Sequence, residues 1–129
     1  MDIVTHLGIN ARLCGTPVST AENESSVEMT TLPEMAVDDT GLVHGGFIFG
    51  LADHAAMIAV NHPNVVLGGA QVKFLKPVAV GEAVTAYASA GPLDGKKQVV
   101  TVTVERAGSS VFSGEFTCFV LPQHVLAGA

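Results

Sequence analysis

The sequence predicts an α+β fold in which one long, central buried helix packs on an antiparallel sheet of about five strands. The helix is predicted from an apolar run, residues 45–60, whose only polar side chains are Asp53 and His54. The sheet is predicted from four strand patterns that follow this run and are linked by short turns without another helix. Such tight connections make neighbouring strands antiparallel, and a helix lying across the sheet buries one face of each.

The composition predicts one domain, residues 1–129, that associates with further copies of itself. A chain of 129 residues is long enough to bury a core. Apolar residues make up 48% of it and charged residues 14%, so we expect another subunit to cover part of the apolar surface. With a net charge of −6 and no basic run longer than Lys96-Lys97, the chain lacks the basic footprint that nucleic acid binding needs.

The sequence also predicts a cytoplasmic protein that does not enter a membrane. No apolar run reaches the roughly 20 residues needed to span a bilayer. The start, Met-Asp-Ile-Val-Thr-His, lacks the basic and apolar regions of a signal peptide. Cys14 and Cys118 are therefore expected to be free thiols.

Before the long helix, the predicted elements are short. Residues 2–9 predict a helical segment, which Gly15-Thr16-Pro17 breaks. Residues 18–32 predict one strand with a polar, irregular first half. Residues 33–41 predict a loop that leads to His44.

The helix and the strands after it have clear boundaries. Apolar side chains cover nearly every side of residues 45–60, as expected of a buried helix, and Pro63 prevents its continuation. Asp94-Gly95 predicts a hairpin turn, and alternating Val and Thr side chains predict the strand after it. The four predicted strands are residues 65–75, 79–90, 97–106 and 111–121.

The sequence disfavours catalysis by a side-chain nucleophile or a metal. No serine lies in a G-x-S-x-G segment, and there is neither a P-loop nor a G-x-G-x-x-G motif. His44, His54 and His62 lack the spacing of a helical zinc pair, and no two cysteines are close in sequence. We therefore expect no metal and no cofactor.

The glycine pair Gly45-Gly46 is a candidate site for a carbonyl oxygen. A helix N-terminus presents free N–H groups and a partial positive charge. Because glycines have no side chain, an oxygen can approach these N–H groups closely, as in an oxyanion hole. Alternatively, the glycines only allow a tight turn into the helix, and the spacing leaves both interpretations open.

Asp53 is a second candidate, seven residues beyond Gly46 on the same helix face. It is either a working group or a structural carboxylate bonded to a backbone N–H or a His. Gly50 lies between them and costs roughly 1 kcal/mol relative to Ala, so we expect it to make room for something. We expect His44 to orient the loop by hydrogen bonding and His54, about 100° around the helix, to be structural or interfacial.

The spacing of these groups favours a symmetric dimer. Seven residues of helix rise about 10 Å, which is too far for Asp53 and the Gly46 N–H to act on one carbonyl carbon. If the two groups work together, Asp53 comes from a second subunit whose helix runs antiparallel. An isologous dimer provides that arrangement twice.

Two motifs resemble those of a known family. The segment 44–53, His-Gly-Gly followed seven residues later by Asp, resembles the signature of hotdog-fold acyl-CoA thioesterases of the phenylacetate-pathway (PaaI-like) type. Phe74-Leu75-Lys76-Pro77, followed by Gly81-Glu82, is similar to a second segment of that group. With the element order, the resemblance covers residues 25–121.

The resemblance implies a hotdog fold and metal-free hydrolysis of an aryl- or short-chain acyl-CoA by a homodimer or homotetramer. It implies that the Gly46 N–H, alone or with that of Gly45, polarises the thioester carbonyl. Asp53 would act as general base on water or as nucleophile, and His44 would shape the loop. Coenzyme A would lie in a groove near the subunit interface, with its phosphates near Lys73, Lys76, Lys96 or Lys97.

Two departures from the family pattern bear on activity. Relatives often have Asn six residues before the His, where Asp38, when ionised, cannot donate a hydrogen bond. Relatives also place a hydroxyl residue at the start of the strand after the helix, which Leu67-Gly68-Gly69 does not supply. Weak, specialised and absent activity all remain open.

The alternative function is a non-catalytic acyl-CoA-binding or sensing protein of the same fold. Such regulators usually carry an appended DNA-binding domain, for which we expect no space in 129 residues. A hotdog dehydratase is a third possibility, but it typically needs a His as well as a carboxylate in its site. The sequence leaves open the acyl group and the choice between dimer and tetramer.

Overall fold

The long helix lies across one face of a six-stranded sheet. In the computed structural model, which describes residues 1–128, α1 spans Ala11–Cys14 and α2 spans Gly45–Val60. The strands are β1 Thr16–Ala21, β2 Glu24–Thr30, β3 Val65–Phe74, β4 Ala83–Ala90, β5 Lys97–Arg106 and β6 Ser109–Val120. Short 3-10 helices cover Pro33–Met35 and Val125–Gly128. The predicted α+β fold and the bounds of the long helix are confirmed.

The sheet has the strand order β1-β2-β4-β5-β6-β3, and all neighbouring strands are antiparallel. The sequence predicted about five strands because residues 18–32 were interpreted as one. They instead contribute to the hairpin of β1 and β2, which turns at Asn23 with φ 62°. Asn tolerates this left-handed conformation better than most residues. The polar first half of the predicted strand is the edge strand β1.

The N-terminal segment also differs from the prediction. Residues 2–9 do not form a helix, and His6 within them has φ 55°. The helical turn lies later, at α1, because the side chain of Asn10 accepts hydrogen bonds from the Arg12 and Leu13 N–H groups. The helical turn ends at Gly15, where the break was predicted, and Thr16 and Pro17 then begin β1, since an edge strand tolerates proline.

Packing against the sheet fixes the position of α2. Nine of its residues are buried, and the inner face of the sheet contributes Phe112 and Phe116, which are fully buried. The hydroxyl of Ser25 in β2 donates to the Ala55 carbonyl at 2.6 Å. The helix ends at Asn61, which has the left-handed φ of 52° and whose N–H donates to the Met57 carbonyl. No helix within residues 1–128 is long and apolar enough to cross a membrane.

Candidate active site

His44 caps the N-terminus of α2. Its backbone is extended, and its Nδ1 accepts a hydrogen bond from the Gly46 N–H at 2.7 Å. Since Nδ1 is the acceptor, the proton of the neutral ring lies on Nε2. A carbonyl oxygen can therefore reach the Gly46 N–H only after the imidazole has moved aside.

Close packing restricts both glycines at the helix start. A Cβ at Gly45 would lie 3.0 Å from Cε1 of Phe74, and one at Gly46 would lie 2.7 Å from the His44 ring. These contacts support the interpretation that the glycines permit a tight entry into the helix, and they do not exclude an oxyanion role. Gly50 is different, because no heavy atom lies within 4 Å of an added Cβ there. The helix surface at Gly50 is thus open in the protomer.

Asp53 lies two turns beyond Gly46, and one of its carboxylate oxygens has no hydrogen-bond partner within residues 1–128. Its Oδ1 is buried and makes no hydrogen bond to any described residue. Burial raises the pKa of Asp53 to about 6. The neighbouring imidazole of His54 does not bond to this oxygen; its Nδ1 bonds to the Cys14 carbonyl at 3.0 Å. A buried oxygen without a partner costs roughly 1–3 kcal/mol, so a water molecule or substrate would be stabilised there.

The two thiols are close enough to Asp53 for its charge to affect them. Burial, with a smaller contribution from Asp53, raises the pKa of Cys118 to about 12. The same two causes, in the same order, raise the pKa of Cys14. Both cysteines are free. Because the thiolate is the nucleophile, Cys118 is unsuited to nucleophilic catalysis.

Four phenylalanine rings, three from the sheet and that of Phe49 from α2 itself, form a continuous apolar floor between the sheet and the first half of α2. The ring centroids of Phe74 and Phe112 are 5.1 Å apart, those of Phe112 and Phe116 6.3 Å, and those of Phe116 and Phe49 5.3 Å. The series begins at the ring that packs on Gly45 and ends one helical turn before Asp53. It holds the helix start against the sheet without polar groups.

A groove begins beside Gly45. Its first part is a cavity of about 300 Å³ lined mainly by apolar side chains, including Ile48, Phe74, Leu75 and Val78. Phe74 and Leu75 are 56% and 48% exposed, which is unusual for large apolar residues and typical of a binding surface. A second cavity of about 470 Å³ adjoins it across Pro77 and Val78 and extends to Arg106.

Of the predicted substrate-binding residues, Lys76 lies in this groove and others lie elsewhere. Lys76 lines the first cavity together with Gly45. Lys73 pairs with Ser113, which follows the buried Phe112 and therefore lies on the sheet face opposite α2, since successive side chains of a strand alternate between faces. Lys97 is the first residue of β5. The groove end of this strand is marked by Val104, which pairs with Phe112. Seven residues of strand, or about 23 Å, therefore separate Lys97 from the groove.

Asp38 is exposed, and its side chain stabilises the turn in which it lies. Its Oδ1 accepts hydrogen bonds from the Thr40 N–H at 2.9 Å and the Thr40 hydroxyl at 2.6 Å. These bonds lower the pKa of Asp38. The side chain is therefore an ionised acceptor that closes the turn before the helix.

Sequence reasoning missed Arg106, which lines the second cavity. A signal was present, since Arg106 is one of two arginines in the chain and directly precedes the Ala107-Gly108 turn. Its proximity to Pro77 depends on sheet register, which the sequence does not specify. Among residues 1–128, no group of three or more His, Cys, Asp or Glu side chains could hold a metal ion.

Two curated relatives have different descriptions. A protein from Aquifex aeolicus (strain VF5) described as methylthioribose-1-phosphate isomerase is 54% identical over 122 residues, which cover 94% of this chain and 27% of that protein. The transcription factor FapR from Shouchella clausii (strain KSM-K16) is 34% identical over 88 residues, 67% of this chain and 46% of FapR. The chain spans less than half the length of these relatives.

Solved structures match along most of the chain. The uncharacterized protein PH1136 from Pyrococcus horikoshii is 49% identical with a TM-score of 0.96, covering 98% of this chain and 97% of that chain. An Asn-to-Asp variant of the phenylacetic acid degradation protein PaaI from Thermus thermophilus is 27% identical with a TM-score of 0.77, covering 84% and 95%. A hypothetical thioesterase from Streptococcus pneumoniae TIGR4, solved with coenzyme A, shares the fold at 19% identity and a TM-score of 0.76, covering 84% and 87%.

The family model of the thioesterase superfamily matches residues 40–113, more than half of the chain. The matched region contains α2, the phenylalanine floor as far as Phe112, and the groove beside Gly45. The chain therefore belongs to the thioesterase superfamily and has the hotdog fold.

Proposed function

We propose that this protein hydrolyses the thioester of an aryl- or short-chain acyl-CoA, with Asp53 as the general base. The observation that carries the proposal is the buried, unpartnered Oδ1 of Asp53, together with a pKa raised to about 6. Such a carboxylate is ionised at neutral pH and is a stronger base than an exposed one. Membership of the thioesterase superfamily and the likeness to PaaI support the same reaction class.

In the proposed reaction, the thioester carbonyl binds at the N-terminus of α2. The His44 ring swings away from the Gly46 N–H, which then donates to the carbonyl oxygen. Asp53 removes a proton from a water molecule as the water oxygen attacks the carbonyl carbon. The tetrahedral intermediate collapses, the C–S bond breaks, and the leaving coenzyme A thiolate takes up a proton, which protonated Asp53 can supply.

The proposed active site combines groups from two subunits. About 10 Å of helix rise separate Gly46 from Asp53 within one protomer. The ten-residue strand β3 lies at the edge of the sheet, and a long exposed edge is a template for pairing with another chain. Antiparallel pairing of β3 with its counterpart in a second copy would form an isologous dimer, alone or within a dimer of dimers.

The test is Asp53→Asn, assayed on a panel of acyl-CoA thioesters by release of free thiol. Loss of a general base lowers rates by about 10²–10⁴-fold, so we expect kcat to fall at least a hundredfold. Asp39→Asn is the matched control, because it removes the same charge at an exposed position. Hydrolysis at the wild-type rate by a folded, dimeric Asp53→Asn protein would refute the proposal.

A second candidate function is acyl-CoA binding without hydrolysis. The observation that favours it is the 34% identity to the transcription factor FapR over 67% of this chain. Calorimetric titration with an acyl-CoA, combined with the thiol assay, separates the two functions. Binding without thiol release from any member of the panel would support the sensing function and exclude hydrolysis.

A further inference from the structure

Only two of the six basic residues of the chain line the groove. Arg12 is bound by Glu34, and Lys73, Lys96 and Lys97 lie on the far sheet face or at the distant β4–β5 turn. The two remaining cations, Lys76 and Arg106, both line the groove that starts at Gly45. Although the net charge of the chain is −6, two positive side chains therefore lie together at this groove.

The hairpin between β5 and β6 holds both cations at one end of the groove. Arg106 pairs with Ser109 across the hairpin. The Lys76 ammonium donates to the Ser109 hydroxyl at 2.7 Å, and Nη1 of Arg106 donates to the Pro77 carbonyl at 2.6 Å. The two side chains are therefore fixed to the same turn.

The Arg106 guanidinium retains donors for a further ligand. Nη1 makes its second bond to Glu82 Oε1 at 3.2 Å, while the closest donor to Glu82 is the Ala79 N–H at 2.6 Å. Bonds to this N–H and to Arg106 lower the pKa of Glu82, so its charge offsets part of that of Arg106. A guanidinium has five N–H donors, and those on Nη2 and Nε are not used by these contacts.

We propose that Lys76 and Arg106 bind the phosphates of the coenzyme A nucleotide. This inference rests on the proposed function; it selects Lys76 from the four lysines that the sequence left open and adds Arg106, which the sequence did not indicate. The pantetheine arm runs from the phosphates across Pro77 and Val78 and places the thioester at Gly45. Arginine and lysine are the side chains that recognise phosphate, through charge-assisted hydrogen bonds, and the apolar walls of the first cavity suit the uncharged arm and acyl group.

The test compares substrates with and without the nucleotide. The variants are Lys76→Met and Arg106→Gln, with Lys96→Gln and Lys97→Gln as controls that remove one positive charge at the other end of the sheet. For acyl-CoA, each groove variant should raise KM about tenfold, as expected for loss of a charge-assisted hydrogen bond, with kcat within twofold. For the corresponding acyl-pantetheine, KM should not change.

Two outcomes of this comparison contradict the inference. One is an equal rise of KM for both substrates, which would indicate a general disturbance of the groove. The other is a rise of KM in the Lys96 or Lys97 variants and not in the groove variants. Thermal melting of each variant shows whether Arg106→Gln, which loses the bond to the Pro77 carbonyl, is folded; Lys76→Met retains the aliphatic chain and serves as the second variant.

A binding measurement keeps this inference separate from the proposed function. Calorimetry with adenosine 3′,5′-bisphosphate should show binding to the wild-type protein and at least tenfold weaker binding to both groove variants. If the wild-type protein binds it in this way but hydrolyses no thioester, the proposed function fails and the phosphate site stands. If both groove variants bind it as tightly as the wild-type protein does, the phosphate site fails whatever the catalytic result.

Discussion

Asp53 is subject to two opposing requirements. As a base it must be ionised, whereas burial favours its neutral form and raises its pKa from 3.8 to about 6. Well below pH 4 the carboxyl is protonated in the folded and unfolded chains alike. Between pH 4 and 6 the unfolded chain ionises first, which favours unfolding, and above pH 6 the full cost of the buried charge is present.

Asp53→Asn should therefore stabilise the fold while abolishing hydrolysis. We expect its Tm to exceed that of the wild-type protein by a few degrees at pH 7.5 and the difference to shrink steadily as the pH falls from 6 to 4. Wild-type kcat/KM should rise with pH and level off above about pH 6. Calorimetric scans and rates between pH 4 and 8 measure both effects, and a Tm difference that does not change with pH would contradict the assignment.

His44 is a cap and, in the proposed mechanism, a movable one. Its Nδ1 accepts the hydrogen bond of the Gly46 N–H. His44→Ala should therefore lower the free energy of unfolding by about 1 kcal/mol, as for other helix caps. Its kcat should stay within about tenfold of wild type, because the N–H becomes free for the substrate. Urea unfolding and steady-state assays measure both values. A thousandfold loss of kcat in a folded variant would instead make His44 an acid–base group.

At the scale of elements, α2 was predictable because its pattern is local. Its apolar residues cover all sides, and Pro63 follows its end. The β1–β2 hairpin was missed because its turn, at Asn23, lacks the Asn-Gly or Asp-Gly pair that identifies the Asp94-Gly95 turn. Local patterns thus predict an element well when its ends carry strong signals.

Replacement of Gly50 and of Gly15 by Ala should have opposite effects on stability. Ala at Gly50 meets no atom within 4 Å, so Gly50→Ala should raise protomer stability by about 0.5–1 kcal/mol. We also expect kcat/KM to fall at least tenfold, because the open surface is where substrate or a second subunit approaches. Chemical denaturation and thiol-release assays measure the two quantities.

Gly15→Ala is the contrasting variant. Gly15 has φ 93°, and its added Cβ would lie 2.5 Å from Cδ1 of Leu51, so this change should destabilise the protein by more than about 1 kcal/mol. A Gly50→Ala protein with wild-type activity would mean that the space at Gly50 is not used. A Gly15→Ala protein of wild-type stability would contradict the packing described beside α1.

At the scale of the whole molecule, the sequence predicted the fold but only part of the lining of the groove. Phe74, Lys76 and Pro77 lie within one four-residue segment, and the resemblance of this segment to a family motif indicated a substrate site. Arg106 comes within 2.6 Å of the Pro77 carbonyl only because β5, β6 and β3 pair in one register. Contacts of this kind depend on the assembled sheet, so no local pattern contains them.

The proposed division of each active site between two subunits predicts complementation. Asp53→Asn lacks the base, and Gly46→Pro lacks the N–H while remaining compatible with the first turn of a helix. Each variant alone should be inactive. After subunit exchange in a 1:1 mixture, about half of the dimers are hybrids, and each hybrid has one intact site and one that lacks both groups. About a quarter of wild-type activity should therefore appear.

The control for complementation is the same mixture without subunit exchange, which should remain at background. Mass spectrometry of the intact assembly verifies that hybrids form. If hybrids form and no activity returns, both groups belong to one protomer and the proposed arrangement is wrong.

The position of β3 also has a consequence for how the chain folds. β3 follows α2 directly, yet it pairs with β6, the last strand of the sheet. A nascent chain that has not yet released Ser109–Val120 from the ribosome therefore has no neighbour for β3, and the aromatic residues Phe112 and Phe116 are not available to cover the helix. Non-local pairing of this kind is slow to form. β3 should therefore join the sheet only after β6 has been synthesised, whereas β2, β4 and β5 can pair with one another and pack on α2 before that.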